Sequence, residues 1–214
     1  MNIAILGGTG KEGAGLALRW AQAGHAIIIG SRDAERARAK ATELRDQAHK
    51  LPIVGHTNLE AAELGEIVVV ALPANGLAAT LPELRAATAN KVVVSTVVPL
   101  TFGGPRLFTP PALGSSAEEV QSLLPEARVV AAFHHIAAHE LAETDHPIEC
   151  DLLICGKDAG AKEAVTSLGV SLGLRVLDVG ALTNAGPIEG ITALLATINR
   201  RYKLKNSGIK ITGL

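Results

Sequence analysis

Hydrophobic positions along this chain fall in short unbroken runs, with little strict apolar–polar alternation. The runs Asn2 to Leu6, Ala26 to Ile29, Glu66 to Leu72, Lys91 to Ser95, Arg128 to Phe133 and Asp151 to Cys155 read as strands covered on both faces. That is the signature of parallel sheets flanked by helices. Pro52 to Gly55 and Arg175 to Leu177 read as shorter strands. Between them lie helical stretches. The first runs from Lys11 to Ala23 and stops at Gly24-His25. Asp33 opens a charged helix to about Lys50, and Asn58 caps a brief one ending near Gly65. Ser116 to Leu124, Asp158 to Leu172 and Gly186 to about Arg201 complete the set. Thr101 to Ser115 holds three glycines and three prolines and reads as a long binding loop or lid.

This alternation predicts an α/β protein with a Rossmann-type, doubly wound, mostly parallel sheet. Residues 1–156 are expected to form a dinucleotide-binding domain. Residues 157–214 are expected to add a small α/β extension, either continuing the sheet or packing on it as a lobe.

The first strand runs into Gly7-Gly8-Thr9-Gly10-Lys11-Glu12-Gly13, which contains Gly-x-Gly-x-x-Gly at Gly8, Gly10 and Gly13. A strand before it, a helix after it and a βαβ unit around it raise this weak pattern to a strong one. Gly8 is expected to make the tight turn, Gly10 to let a pyrophosphate approach, and Gly13 to let helix and strand pack closely. The N–H groups at the helix start then hold the phosphates.

Dinucleotide choice is read at the end of the second strand. An NAD site carries an acidic residue there for the ribose 2′-hydroxyl. This chain has Gly30-Ser31-Arg32, with Arg36 one helical turn on. A hydroxyl and two guanidinium groups suit a 2′-phosphate, so the expected coenzyme is NADP(H). The competing arrangement leaves both arginines in solvent and gives the ribose to Asp33. Ligands in open α/β sheets lie beyond the carboxyl ends of strands. This places Pro73, Ala74 and Ala78 beside the nicotinamide and brings Thr96 to Leu100, with Val98, to the pocket floor.

Composition narrows the function. Of 214 residues, 48% are hydrophobic and only 2% aromatic, and the formal net charge is −1. There is neither a basic field nor a set of stacking rings for nucleic acid. Cys150 and Cys155 form no disulfide framework; five apart on a strand, they face opposite sides. No leader pattern and no apolar run of membrane-spanning length is present, which predicts a soluble, cytoplasmic protein.

Candidate proton-transfer groups are few. The lone tyrosine, Tyr202, lies near the C-terminus without a Tyr-x-x-x-Lys arrangement. His134, at a strand end, is the histidine best placed for catalysis. His135 and His139 are four apart beside Glu140, but two ligands do not close a metal site, and none is expected.

Ile-Leu-Gly-Gly-Thr-Gly at the start, Gly-Ser-Arg after the second strand, Leu72-Pro73 and Val97 to Leu100 together resemble the NADPH-dependent coenzyme F420 reductases. So do Phe133 to Ile136 and Gly208-Ile209-Lys210, across essentially the whole chain. The resemblance implies direct hydride transfer between the nicotinamide and the deazaflavin F420, governed mainly by positioning of two rings. It implies that Thr9, Gly10, Lys11 and Glu12 hold the pyrophosphate and that Ser31, Arg32 and Arg36 hold the 2′-phosphate. It also implies that Ala74, Ala78, Leu100 and Ala138 contact cofactor, that His134 and Ile136 border the deazaflavin, and that the protein is a homodimer. Ala74 stands where the family commonly has tryptophan, and Ala137 where proline often follows His-x-Ile. Both changes fall near the acceptor site and leave another acceptor open: a flavin, a ferric ion, or a small imine or ketone. A non-catalytic NADP-binding sensor is the third reading.

Overall fold

A computed structural model describes residues 1–47, 51–104 and 106–214. The chain runs β1 (Asn2–Leu6), α1 (Lys11–Gln22), β2 (Ala26–Ser31), α2 (Ala34–Gln47), β3 (Ile53–Thr57), α3 (Asn58–Leu64) and β4 (Ile67–Val70). Two one-turn helices follow, α4 (Leu77–Thr80) and α5 (Arg85–Thr88), then β5 (Val92–Ser95), α6 (Ser116–Leu123), β6 (Arg128–Ala131) and α7 (Ala138–Ala142). The chain finishes with β7 (Asp151–Gly156), α8 (Ala159–Ser171), β8 (Arg175–Asp178) and α9 (Ala185–Tyr202).

The eight strands make one sheet in the order β3-β2-β1-β4-β5-β6-β7-β8. The first six are parallel, and their direction of winding reverses between β1 and β4, where a doubly wound sheet opens its crevice. β7 runs antiparallel to β6, with Ala131 opposite Cys155, and β8 runs parallel to β7.

Unbroken apolar strands follow from two covered faces. Ile3 and Ile5 join a core with Leu16 and Trp20 of α1, Ala41 of α2 and Val165 of α8. Ala4 and Leu6 point the other way, to a core with Ala61 of α3, Leu77 of α4, Val120 of α6 and Ile188 of α9. Cys150 sits in the first core and Cys155 in the second, the opposition expected from their spacing. Trp20 packs edge-on against Phe133 at 5.1 Å and donates its indole N–H to Leu168 O at 3.3 Å.

Several local expectations change. Gly7, not Gly8, makes the tight turn: its φ is +74°, a conformation that glycine alone adopts cheaply. A Cβ on Gly8 would lie 2.9 Å from Ile5 O, and one on Gly13 would lie 2.8 Å from Gly8 Cα. Gly8 and Gly13 are therefore packing glycines. Thr57, not Asn58, caps α3. Thr57 Oγ1 accepts the Glu60 N–H at 3.2 Å, and Glu60 reaches back to the Thr57 N–H at 2.9 Å, closing a capping box. The last residues expected in α2, 48–50, lie outside the described residues, as does position 105 of the long loop.

Candidate active site

The turn between β1 and α1 has the features of a phosphate cradle. Gly10 stands at the N-cap of α1 in extended conformation and gives no side-chain cap. Thr57, Ser115 and Asp158, by contrast, cap α3, α6 and α8 with side-chain oxygens. The first-turn N–H groups of α1 are thus left for an external acceptor. A Cβ on Gly10 would meet only Gly7 O, at 3.4 Å, so its outer side is open.

A cavity of about 650 Å³ joins this turn to the end of β2 and the segment after β4. Of the residues expected at the coenzyme, Thr9, Gly10, Lys11, Glu12, Gly13, Ser31, Arg32, Arg36 and Pro73 all line it. Gly8 lies just behind, under the turn. Asp33 is engaged elsewhere: its Oδ1 accepts the N–H groups of Glu35 at 2.9 Å and Arg36 at 3.3 Å. Its own N–H donates to Ser31 Oγ at 3.2 Å. One oxygen of the carboxylate that competed for the ribose starts α2, while Arg32 and Arg36 are exposed along the cavity.

The other half of the site is more dispersed. Ala74 opens a 3₁₀ turn and packs against Leu77 and its neighbours, and Ala78 is exposed on α4. Val98 and Leu100 are half-buried in extended chain, with Leu100 bridged to Phe108 of the long loop. Ile136 lines a separate cavity of about 380 Å³ with Cys150 and Gly208. Ala138 lines a third, of about 690 Å³, that also takes in Thr9, Gly10 and Lys11. The phosphate turn is thus a wall between two cavities.

His134 is enclosed. It follows Phe133, whose φ of +67° turns the chain back after β6. Burial pushes its imidazole down to about 3, with His135 adding to the effect, and neither ring nitrogen finds a well-formed hydrogen bond. The backbone groups of Ala132 and Ser95 act in the opposite sense, raising it, but are outweighed. His134 is therefore neutral at physiological pH. His135 faces β7, its Nε2 3.0 Å from Asp151 O and 3.3 Å from the Leu153 N–H. His139 Nδ1 lies 3.1 Å from Glu143 Oε1.

Arg19 escaped the sequence reading. On the buried face of α1 its guanidinium donates to the carbonyls of Leu141 at 3.2 Å, Glu140 at 2.7 Å and His146 at 3.3 Å, and also to Glu143 O. It fixes α7 and the turn after it against α1. The available signal was a charge inside the Leu16-Ala17-Trp20 stripe, where it must find acceptors. Asn58, expected only as a helix cap, was also missed as a cavity residue, whereas Thr96 was expected at the pocket floor without a stated role. Asn58 Oδ1 is buried without a partner beside Gly30, at the 650 Å³ cavity. Thr96 Oγ1 donates to Val70 O at 3.2 Å, tying the ends of β5 and β4.

Fold and cavity together define a Rossmann-type α/β protein with a cavity at the sheet's switch point. The family model for coenzyme F420-dependent NADP oxidoreductases matches residues 2–99. The F420-dependent NADP reductase of Methanocaldococcus jannaschii is 43% identical over 100% of this chain and 99% of its own length. That of Methanothermobacter marburgensis is 40% identical with the same coverage. A crystal structure of an Arthrobacter protein provisionally classed as an F420-dependent NADP-reductase superposes with a TM-score of 0.85, at 28% identity and 99% coverage of both chains. The chain belongs to the F420-dependent NADP reductase family.

Proposed function

We propose that this protein transfers a hydride between NADP(H) and coenzyme F420. The observation that carries the reading is full-length similarity to F420-dependent NADP reductases, joined to a cavity that pairs an uncapped helix start with two exposed arginines. When bound together, the two coenzymes supply the redox chemistry: hydride passes between nicotinamide C4 and deazaflavin C5. The chain's part is binding and orientation. The amides opening α1 receive the pyrophosphate, and Ser31, Arg32 and Arg36 take the 2′-phosphate. In this reading Pro73 shapes the nicotinamide side of that cavity, and Ile136 and Ala138 border the acceptor from the two neighbouring cavities. Ala74, Ala78, Val98 and Leu100 back the nicotinamide side, and His134 supports the acceptor side as a neutral ring.

No helix among the described residues is long and apolar enough to cross a membrane. Two buried free thiols suit a reducing compartment, and we place the enzyme in the cytoplasm, without nucleic-acid partners. Residues 1–156 carry the coenzyme, and residues 157–214 pack on them and contribute to a homodimer. Support for the dimer is a bare stripe on α9: Leu194 and Tyr202 are each 65% exposed and Ile198 39%. Residues four and eight apart share one helix face, and apolar stripes of this kind mark interfaces.

The test is absorbance in the deazaflavin band with NADPH and F420. Turnover that requires both supports the reading. NADPH binding with turnover only on a flavin, ferric ion or imine would move the acceptor elsewhere, as Ala74 and Ala137 allow.

A further inference from the structure

Glu12 is a carboxyl where the nucleotide motif needs only backbone. It occupies the second position of α1 and lines the 650 Å³ cavity. Its stem is half-buried, but Oε1 is sealed from solvent without a hydrogen-bond partner. The neighbour facing its carboxyl is the side chain of Thr96, at the end of β5. In a doubly wound sheet, β1 to β3 carry the adenosine half of a dinucleotide and β4 to β6 the nicotinamide half. Glu12 therefore starts at the phosphate turn and reaches across the β1/β4 switch to the nicotinamide side.

We propose that Glu12 is a positioning residue that distinguishes the oxidation states of the bound nicotinamide, giving up its proton to solvent for the cationic ring of NADP⁺ and keeping it for the neutral ring of NADPH. This rests on the function proposed above. Burial raises the carboxyl to about 8, so it enters the binding equilibrium protonated at neutral pH. A positive ring beside it favours the anion, and a neutral ring does not. Binding of NADP⁺ then releases a proton that binding of NADPH does not.

The surrounding charges leave this assignment to Glu12. Lys11 adjoins it on α1, Arg32 and Arg36 stand at the adenosine end, and Glu83 lines the far wall. The ends of β4 and β5 contribute Leu72, Pro73, Ser95 and Thr96, none of which titrates. His134, against the Ser95 backbone, is neutral. The coenzyme's pyrophosphate and 2′-phosphate act on Glu12 equally in both oxidation states and cancel in a ratio.

The test is isothermal titration of the full-length protein with NADP⁺ and with NADPH between pH 6 and 8. The ratio Kd(NADPH)/Kd(NADP⁺) should rise with pH, by up to about tenfold per unit, the limit for one proton exchanged. Titration in buffers of different ionisation enthalpy should show up to one more proton released by NADP⁺ than by NADPH. Glu12→Gln, which keeps shape and a neutral donor, should make the ratio flat. A flat ratio in the wild type, or a slope that survives in Glu12→Gln, overturns the proposal while leaving coenzyme binding intact. Absence of binding by either coenzyme to folded wild type overturns the functional reading as well. A flat wild-type ratio overturns the proposal without any variant. If Glu12→Gln does not fold, Glu12→Met supplies the same comparison, with a flat ratio expected and a surviving slope overturning the assignment.

Discussion

Asp33 Oδ1 accepts the backbone N–H of Arg36 at 3.3 Å while Arg36 itself borders the 650 Å³ cavity. One turn of α2 thus holds its own cap and keeps a guanidinium free for a phosphate. One oxygen of the carboxylate expected to compete for the ribose is taken up by backbone. Arg32→Ala and Arg36→Ala should each weaken NADPH about tenfold or more, the effect of losing a charged hydrogen bond of about 1.5–3 kcal/mol. NADH affinity should hardly move. Equal losses for both coenzymes in a fluorescence titration would place the arginines away from the 2′-phosphate.

The glycines of the turn should separate into two kinds. Gly10→Ala fits the unliganded fold, because its backbone is extended and its Cβ meets only Gly7 O at 3.4 Å. Thermal stability should be nearly unchanged and NADPH binding largely lost. Gly13→Ala would drive a Cβ to 2.8 Å from Gly8 Cα, so it should lower the melting temperature before any ligand is added. Intact coenzyme binding in Gly10→Ala would show that phosphate does not approach there.

His134 should leave no mark on a pH–rate profile above pH 5. Its pKa is pushed down to about 3, so the folded state holds it neutral while the unfolded chain protonates it near 6.5. Folding stability should therefore decline as pH falls below 6.5, and His134→Gln should reduce that decline. His134→Ala should also cost on the order of 2 kcal/mol through the cavity left behind. A kcat inflection near pH 6.5 that disappears in His134→Gln would establish an accessible, titrating imidazole.

The C-terminal segment meets β7 and β8 at Asp151, whose own N–H also donates to Ile209 O at 2.8 Å. Asp151 Oδ1 and Oδ2 accept Arg175 Nε at 2.9 Å and Nη2 at 2.6 Å, and Oδ2 also accepts the Ile211 N–H at 2.6 Å. Chiefly through Arg175, these bonds hold Asp151 down to about 2, against 3.8 for a free carboxyl. Its contribution is complete above pH 3.8 and is lost as pH falls towards 2. Asp151→Asn should lower stability at pH 7, flatten acid unfolding between pH 4 and 2, and raise hydrogen exchange at residues 206–214. Unchanged exchange there would show that the tail is held by other contacts.

The stripe on α9 predicts a dimer. Leu194→Asp should convert a dimer to a folded monomer by light scattering at micromolar concentration, with an unchanged circular dichroism spectrum. A monomeric wild type would remove the proposal.

Local chemistry determined much of this protein. Apolar runs such as Ile3 to Leu6 specified doubly covered strands, because an unbroken run leaves no polar face to hydrate. Glycine and capping residues then placed most helix ends within a few residues, and Ser31 and Arg32, singled out at the end of the second strand, line the cavity. These features act between chain neighbours, so they are legible in order. Tertiary structure decided what depends on partners far apart in sequence. Only the fold shows that Asp33 Oδ1 is taken up in starting α2, that Gly7 takes the left-handed turn, and that burial neutralises His134. Arg19, Asn58 and Thr96 gained roles from carbonyls and glycines distant in sequence. Protonation states follow the same rule: Glu12 is an ordinary acid in the chain and a weak one in the protein, because desolvation is a property of the packed interior.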